Sequence, residues 1–301
     1  MDRRGVLATC LAITWLVWGS TYLAIKFALV SFPPFFQMGT RFLVAGGLLL
    51  AWTRLRGRAR PTGAQWRNAA IFGSLLGIWM GGVAYAEQSV ASGLVVAFTS
   101  VVPAIVALMN LAFGIRPSRL ETVGIAVGVI GVLLLAQGAG FAASLEGVIA
   151  LVIACVSWSA GSVLSQHKIP AAPGAVGFAS QMLCGGVFLM LMSWLGGESF
   201  RWPPQPQAVL AWGYLVVFGS LIAFSAYMTL LARTGAVLAS SYSFVNPVIG
   251  LFLGIALGGD PVTTYEWQAV AVIIAGVVML VVGRSGLRHG DAIAGPRRLT
   301  R

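Results

Sequence analysis

Of the chain's 301 residues, 58% are hydrophobic and 9% charged, with 38 glycines and a mean hydropathy of +0.89. Soluble domains carry about a quarter charged residues, so this composition excludes a water-soluble globular protein and points to an integral membrane protein. The net charge of +11 sits in the loops and is not the footprint of a nucleic-acid partner.

Apolar runs broken by Pro, Gly and charge predict an all-α protein of ten transmembrane helices, at roughly 6–29, 33–53, 68–88, 92–114, 121–138, 146–166, 175–195, 208–231, 236–258 and 264–283. The runs are continuous and do not alternate at period two, which excludes a transmembrane β-barrel. The first run follows Asp2-Arg3-Arg4 and continues to about Leu29, too long for a signal-peptide core, so it is read as a retained helix. Within it, Trp15, Trp18 and Tyr22 share a stripe, with Thr21 beside them and Lys26 near the end. Span two carries Arg41, and span three carries Trp79, Tyr85 and Glu87. Span four carries Thr99 and Pro103. In span five, Gly124, Gly128 and Gly131 form a groove for close helix packing or for a dimer contact, and Gly77 with Gly81 does the same on span three. Span six carries Trp158 and Ser162, span eight Tyr227, and span nine Tyr242, Ser243, Asn246 and Pro247. The cysteines, Cys10, Cys155 and Cys184, lie far apart in apolar runs and read as buried hydrophobes, with no disulfide or metal site.

Lys and Arg in the loops set the orientation. One set of span ends holds Arg3, Arg4, Arg54, Arg56, Arg58, Arg60, Arg67, Arg116, Arg119, Lys168, Arg233, Arg284, Arg288, Arg297, Arg298 and Arg301, whereas the opposite set holds only Arg201. Both termini are therefore expected in the cytoplasm of a multi-pass inner-membrane protein.

The chain is also written twice. The segment "TSVVPAIVALMNLAFGIRP" (99–117) aligns with "SFVNPVIGLFLGIALGGDP" (243–261), placing Pro103 on Pro247, Gly114 on Gly258 and Pro117 on Pro261. Trp18 pairs with Trp158. Five spans per repeat is an odd number, so the halves, 1–138 and 139–283, are expected in opposite orientation, followed by a basic cytoplasmic tail at 284–301. Inverted repeats of this kind mark secondary transporters with a midplane site between the halves.

The stretches "WGSTYLAIKFAL" (18–29), "GTRFLVAGGLLL" (39–50), "TSVVPAIVAL" (99–108), "VNPVIGLFLG" (245–254) and "GGDPVTTYEWQAVAVIIAGVV" (258–278) resemble the drug/metabolite transporter superfamily, in its ten-helix EamA branch. The resemblance spans both repeats. It implies alternating-access export of small metabolites, usually amino acids or drugs. The stretch "AYMTLLARTGAVLASSYSFVNPV" (226–248) is similar to amino-acid and drug exporters, the YddG-type aromatic amino acid exporters among them.

From the residues themselves, polar side chains inside lipid-spanning helices need a partner or a purpose. Trp18, Thr21, Tyr22, Trp79, Tyr85, Thr99, Trp158, Ser162, Tyr227, Tyr242, Ser243 and Asn246 are the candidate substrate-binding residues. Aromatic walls with scattered hydroxyls suit a zwitterion with an apolar side chain. The competing reading has Trp and Tyr at the headgroups and Ser and Thr bonded to their own helices. Pro103 and Pro247 are either gating hinges or static bends.

Lys26, Arg41 and Glu87 are expected to converge in the outer half, Lys26 roughly 30 Å across and Arg41 roughly 12 Å below the outer face. Two roles stand for them. In one they form a structural bridge or outer-gate latch. In the other a cation receives a substrate carboxylate and Glu87 carries a coupling proton. Their approximate repeat equivalents, Gln166, Ser180 and Leu231, are uncharged.

No Gly-Lys-Ser/Thr occurs, which argues against a nucleotide-driven pump. His167 and His289 fit no metal-ligand or Ser-His pattern, against an intramembrane enzyme. No ring of like charges marks a channel filter. The expected partners are a small-molecule substrate and membrane lipid, with no nucleic acid and no cofactor, and the chain is expected to be a monomer or homodimer.

Overall fold

The computed structural model describes residues 3–114, 116–137, 143–167, 172–200, 202–234, 242–253, 256–257 and 263–293. Helices α1 (Arg3–Ala28), α2 (Pro34–Leu55) and α3 (Gly63–Ala86) come first. Next, α4 (Ser92–Thr99) and α5 (Val102–Asn110) form two pieces of one rod that ends in a 3-10 turn, Leu111–Phe113. Then follow α6 (Arg119–Gln137), α7 (Leu145–His167) and α8 (Gly174–Leu195). A second interrupted rod contains α9 (Pro206–Tyr214), a π-helical segment (Leu215–Ile222) and α10 (Ala223–Thr234). The last two helices are α11 (Tyr242–Leu253) and α12 (Thr264–Ile293). Among the described residues the architecture is all-helical, apart from one isolated bridge between Val90 and Ala143.

Among the described residues, six helical stretches are long and apolar enough to cross a membrane: Gly5–Ala28, Pro34–Leu55, Gly63–Ala86, Leu145–Ser165, Gly174–Leu195 and Pro206–Tyr227. Large apolar side chains such as Leu16, Leu48, Ile153, Val187 and Leu210 face outward, as a lipid-facing surface requires. The expected single span at 92–114 is broken at Ser100–Val101. Pro103 falls in the first turn of α5, where its missing N–H costs no helical bond. Its repeat partner Pro247 lies inside the unbroken α11, so the two prolines do not act alike on the backbone. The Pro103, Pro247 and Ser243 side chains lie outside the described residues.

Small residues set the closest helix contacts. At the α3–α8 crossing, a Cβ on Gly73 would lie 2.6 Å from the Gln181 carbonyl and 2.7 Å from the Gly185 nitrogen. Antiparallel α2 and α8 approach at Gly39 against Met190 and at Gly186 against Leu43. The stripe of Gly124, Gly128 and Gly131 on α6 is filled by α12 of the same chain. Gly276 faces Gly124 and Gly128, and Ile273 faces Gly131. That stripe is therefore an internal seam and is not available as a dimer contact. Gly77 packs on Phe188 and Gly81 on Leu189, as the small-residue spacing on span three suggested.

Helix ends are capped by chain-distant groups as well as local ones. Thr62 and Gln65 form a capping box at the start of α3. The first N–H groups of α2 have no local cap; the Glu198 carboxylate supplies it, accepting from Phe35 N (3.0 Å) and Phe36 N (2.8 Å).

Candidate functional site

A cavity of about 70 Å³ lies between residues from both halves of the chain. Trp18, Thr21, Tyr22 and Ile25 line it from α1, at the spacing that puts them on one helical stripe. Trp79, Met80 and Val83 come from α3, Arg41 from α2, Trp158 from α7 and Phe224 from α10. Tyr242 and Asn246, one turn apart on α11, complete the wall.

The Trp18 ring is the centre of an aromatic cluster, 4.5 Å from Tyr242, 4.9 Å from Phe224 and 5.3 Å from Tyr227 between centroids. Its indole N–H donates to the Gly219 carbonyl at 3.1 Å. Gly219 lies in the π-helical segment, where the wider turn changes the register of the carbonyl ladder. Trp79 and Trp158 lie 5.5 Å apart. Tyr22 and Thr99 hydroxyls are 3.2 Å apart. Gly19 and Ser20, in the same polar turn of α1, serve packing: a Cβ on Gly19 would lie 2.7 Å from Ile249, and Ser20 meets the Tyr214 hydroxyl at 2.7 Å.

Arg41 is 2% exposed, and its Nε donates to the Ser220 hydroxyl at 2.8 Å. Nη1 donates to the Met38 sulfur at 3.6 Å, and the guanidinium carbon lies 5.7 Å from the Phe42 ring centroid. Arg41 therefore turns toward the π-helical segment and the cavity. Glu87, 4% exposed at the end of α3, accepts from Ser92 at 2.7 Å, and Lys26 sits half-buried in the last turn of α1. Asn246, 5% exposed, has a buried Oδ1 with no hydrogen-bond partner among the described residues.

A second cavity, of about 350 Å³, shares Trp158 and Phe224 with the first and holds two further candidates, Ser162 and Tyr227. It runs from Trp158 to Ser165 and Gly174, toward the end of the bundle where α3 and α8 begin and α7 finishes. Phe178 and Gln181 on α8, Ser157 on α7 and Phe224 were not singled out by sequence, because each reads as an ordinary residue of an apolar run. The stacked Phe178 and Phe224 rings, 4.0 Å apart, form part of its wall. Hydroxyls in both cavities bond to backbone: Thr21 to Trp18 O, Ser162 to Trp158 O and Ser157 to Leu75 O; Thr99, which lines neither cavity, bonds Val96 O. They are donors already used, with oxygen lone pairs still able to accept.

Tyr85 does not reach either cavity. Its hydroxyl donates to Glu146 at 3.3 Å and its ring stacks on Phe35, at the opposite end of the bundle. That end is tied further by Ser89 to Ser144 (2.6 Å), Gln205 N to the Ser31 hydroxyl (2.9 Å) and the Glu198 cap on α2. The cavities therefore approach one end of the bundle, and hydrogen bonds close the other. Among the described residues no group of three or more His, Cys, Asp or Glu side chains is placed to hold a metal ion.

The profile of the EamA-like transporter family matches residues 4–137 and again residues 145–282. The chain is 40% identical over 272 residues to the protein called uncharacterized inner membrane transporter YedA of Escherichia coli strain K12, covering 90% of this chain and 89% of that one. Protein PecM of Dickeya dadantii is 26% identical over 246 residues, covering 79% and 80%. A crystal structure superposes with a TM-score of 0.66 over 94% of this chain and 99% of its own, at 22% identity, a likeness of fold alone. With its profile matched in both halves, the chain belongs to the EamA-like transporter family.

Proposed function

We propose that the chain is a ten-helix carrier in the inner membrane that exports small neutral amino acids, aromatic ones included, by alternating access. In this reading 1–138 and 139–283 are inverted five-helix repeats, 284–301 is a basic tail, and both termini are cytoplasmic. The packing supports the inversion. Counting the two interrupted rods as single spans, exchanging each span with the one five places away turns most of the larger contacts, though not α2·α3, into others that are present. The α3·α7 contact becomes that of α1 with the α9–α10 rod, α1·α11 becomes α5·α7, and α3·α8 becomes α2 against the π-helical segment. The α2·α8 and α6·α12 contacts map onto themselves.

The single observation that carries the substrate reading is the pair of joined cavities, walled by tryptophan and tyrosine from both halves. Pockets for small ligands are about 300–1,000 Å³, so the 350 Å³ cavity suits an apolar side chain. The 70 Å³ cavity, lined by Arg41 and Asn246, suits only a compact polar head. A bulky drug fits the larger cavity but leaves the smaller without a role, which makes multidrug export the second reading.

The test is counterflow of labelled amino acids in liposomes holding the purified protein, with and without a pH gradient. Saturable exchange against the gradient is expected, since only a carrier exchanges solute in this way. Absence of counterflow for every amino acid tried, with drugs exchanged instead, would overturn the substrate assignment. Trp158→Ala, Tyr242→Ala and Asn246→Ala each weaken solute affinity; unchanged affinity in all three would remove the site.

A further inference from the structure

Arg41 presents an unusual balance. Its side chain is almost fully buried, and its polar partners among the described residues are a hydroxyl and a thioether. Neither carries charge. A guanidinium has five N–H donors, of which these contacts use two. Burying a cation without a counter-charge is costly, and natural proteins tolerate it where an anion arrives from elsewhere. Arg41 forms part of the wall of the 70 Å³ cavity.

Two neighbours make this a built site. Ser220 accepts from Nε, which fixes the plane of the fork, and beyond the Met38 contact one N–H on Nη1 and two on Nη2 remain, enough for a bidentate pair with a carboxylate. Gly219, beside it, leaves the space in which the fork lies: a Cβ there would stand 3.0 Å from Nη2. Both belong to the π-helical segment, a rare geometry that recurs at functional sites. In the same cavity the buried Oδ1 of Asn246 lacks a donor among the described residues, the complement of what Arg41 lacks.

We propose that Arg41 receives the carboxylate of the solute, that Ser220 is the residue that aims it, and that Asn246 Oδ1 accepts from the solute's ammonium. This rests on the amino-acid reading above and sharpens it: the carboxylate is the indispensable group. Cationic amines without one are excluded by the buried positive charge, and the solute's side chain points past Trp158 into the larger cavity. No bond is made or broken.

The test uses the full-length protein and two matched series of compounds: phenylalanine, phenylalaninamide, phenethylamine and 3-phenylpropionate, and the corresponding four built on leucine. Binding is followed by thermal stabilisation in detergent, and transport by competition with counterflow in liposomes. The amino acids are expected to bind roughly ten- to a hundredfold more tightly than their amides and amines, as charge-assisted hydrogen bonds imply. Ser220→Ala weakens binding of the carboxylate-bearing compounds roughly tenfold and leaves the amides and amines unchanged; Ser220→Thr restores it. That split is one that a merely structural serine would not produce, and it does not depend on an Arg41 variant folding. Amides or amines that bind as well as the acids overturn the proposal, as does a Ser220→Ala loss equal for all compounds, or no binding by any carboxylate. If 3-phenylpropionate matches phenylalanine, the ammonium role of Asn246 and the amino-acid reading fall while the Arg41 assignment stands. Transport of amino acids with amides competing equally has the reverse meaning.

Discussion

Replacing Asn246 by Leu separates a binding residue from a structural one. The side chain is 5% exposed, and its Oδ1 is buried without a partner among the described residues. An unsatisfied buried acceptor costs about 1–3 kcal/mol, and an apolar group of similar shape does not incur that cost. Leucine at 246 is therefore expected to stabilise the protein by about 1–2 kcal/mol, raising Tm on the order of 2–5 °C in a chain of this size. The same substitution removes the acceptor for the solute's ammonium, so affinity falls roughly tenfold or more. Thermal unfolding in detergent measures the first effect and liposome counterflow the second. Opposite signs in the two assays are the signature of a polar group kept for its ligand. A lowered Tm with undiminished solute affinity would refute the reasoning, because Asn246 would then be bonding within the protein.

Three further substitutions test other parts of the structure. Trp158→Ala removes the ring shared by the two cavities; affinity for amino acids is expected to fall severalfold while bulkier solutes compete better in the same counterflow assay. Gly276→Val drives a side chain into the backbone of α6, 2.7 Å from the Gly124 carbonyl, and is expected to lower stability by about 1–3 kcal/mol with no change of oligomeric state in size-exclusion chromatography with light scattering. Glu198→Gln weakens the cap on α2 by about 0.5–1 kcal/mol, which loosens the hydrogen-bonded end of the bundle. In protein with Cys10, Cys155 and Cys184 replaced, a cysteine at Phe36 would then label about two to five times faster.

Much of the helical pattern was legible because lipid enforces it. A spanning segment must be long, apolar and free of stranded charge, and those demands are written residue by residue. Trp18, Trp158, Tyr242 and Asn246 stood out for the same reason, since an amide or indole at mid-span needs a partner, and all four line the small cavity. What escaped was whatever depends on direction around a helix or on backbone register. That Arg41 would meet Ser220 was not legible, because which face of α2 meets the π-helical segment follows from packing. Ser220 was invisible, since "LVVFGSLIAF" reads as an unbroken apolar run and contains nothing that announces a π-helical register. Tyr85 was expected beside substrate but lies one residue from the end of α3, where Glu146 reaches it. The glycines of α6 could serve a partner chain or the chain's own last helix, and only the position of Gly276 decides between them.

In the proposed alternating-access reading, the closed end must open, and its bonds are weak enough to break. Among the described residues five hydrogen bonds cross it: Tyr85 to Glu146, Ser89 to Ser144, Gln205 to Ser31, and two from α2 to Glu198. Partly exposed bonds of this sort contribute about 0.5–1.5 kcal/mol each, so together they hold the end shut by a few kcal/mol. Reversing a two-state population from 1:99 to 99:1 takes about 5.5 kcal/mol of differential affinity. A solute that satisfies Arg41 and Asn246 at once supplies free energy of that order if the two groups part when the end opens. The glycine seams at Gly73–Gly185 and Gly276–Gly128, by contrast, are backbone contacts that tolerate no such rearrangement. Motion is therefore expected where the helices meet through side-chain hydrogen bonds, and α3 with α8, like α6 with α12, is expected to move as one body.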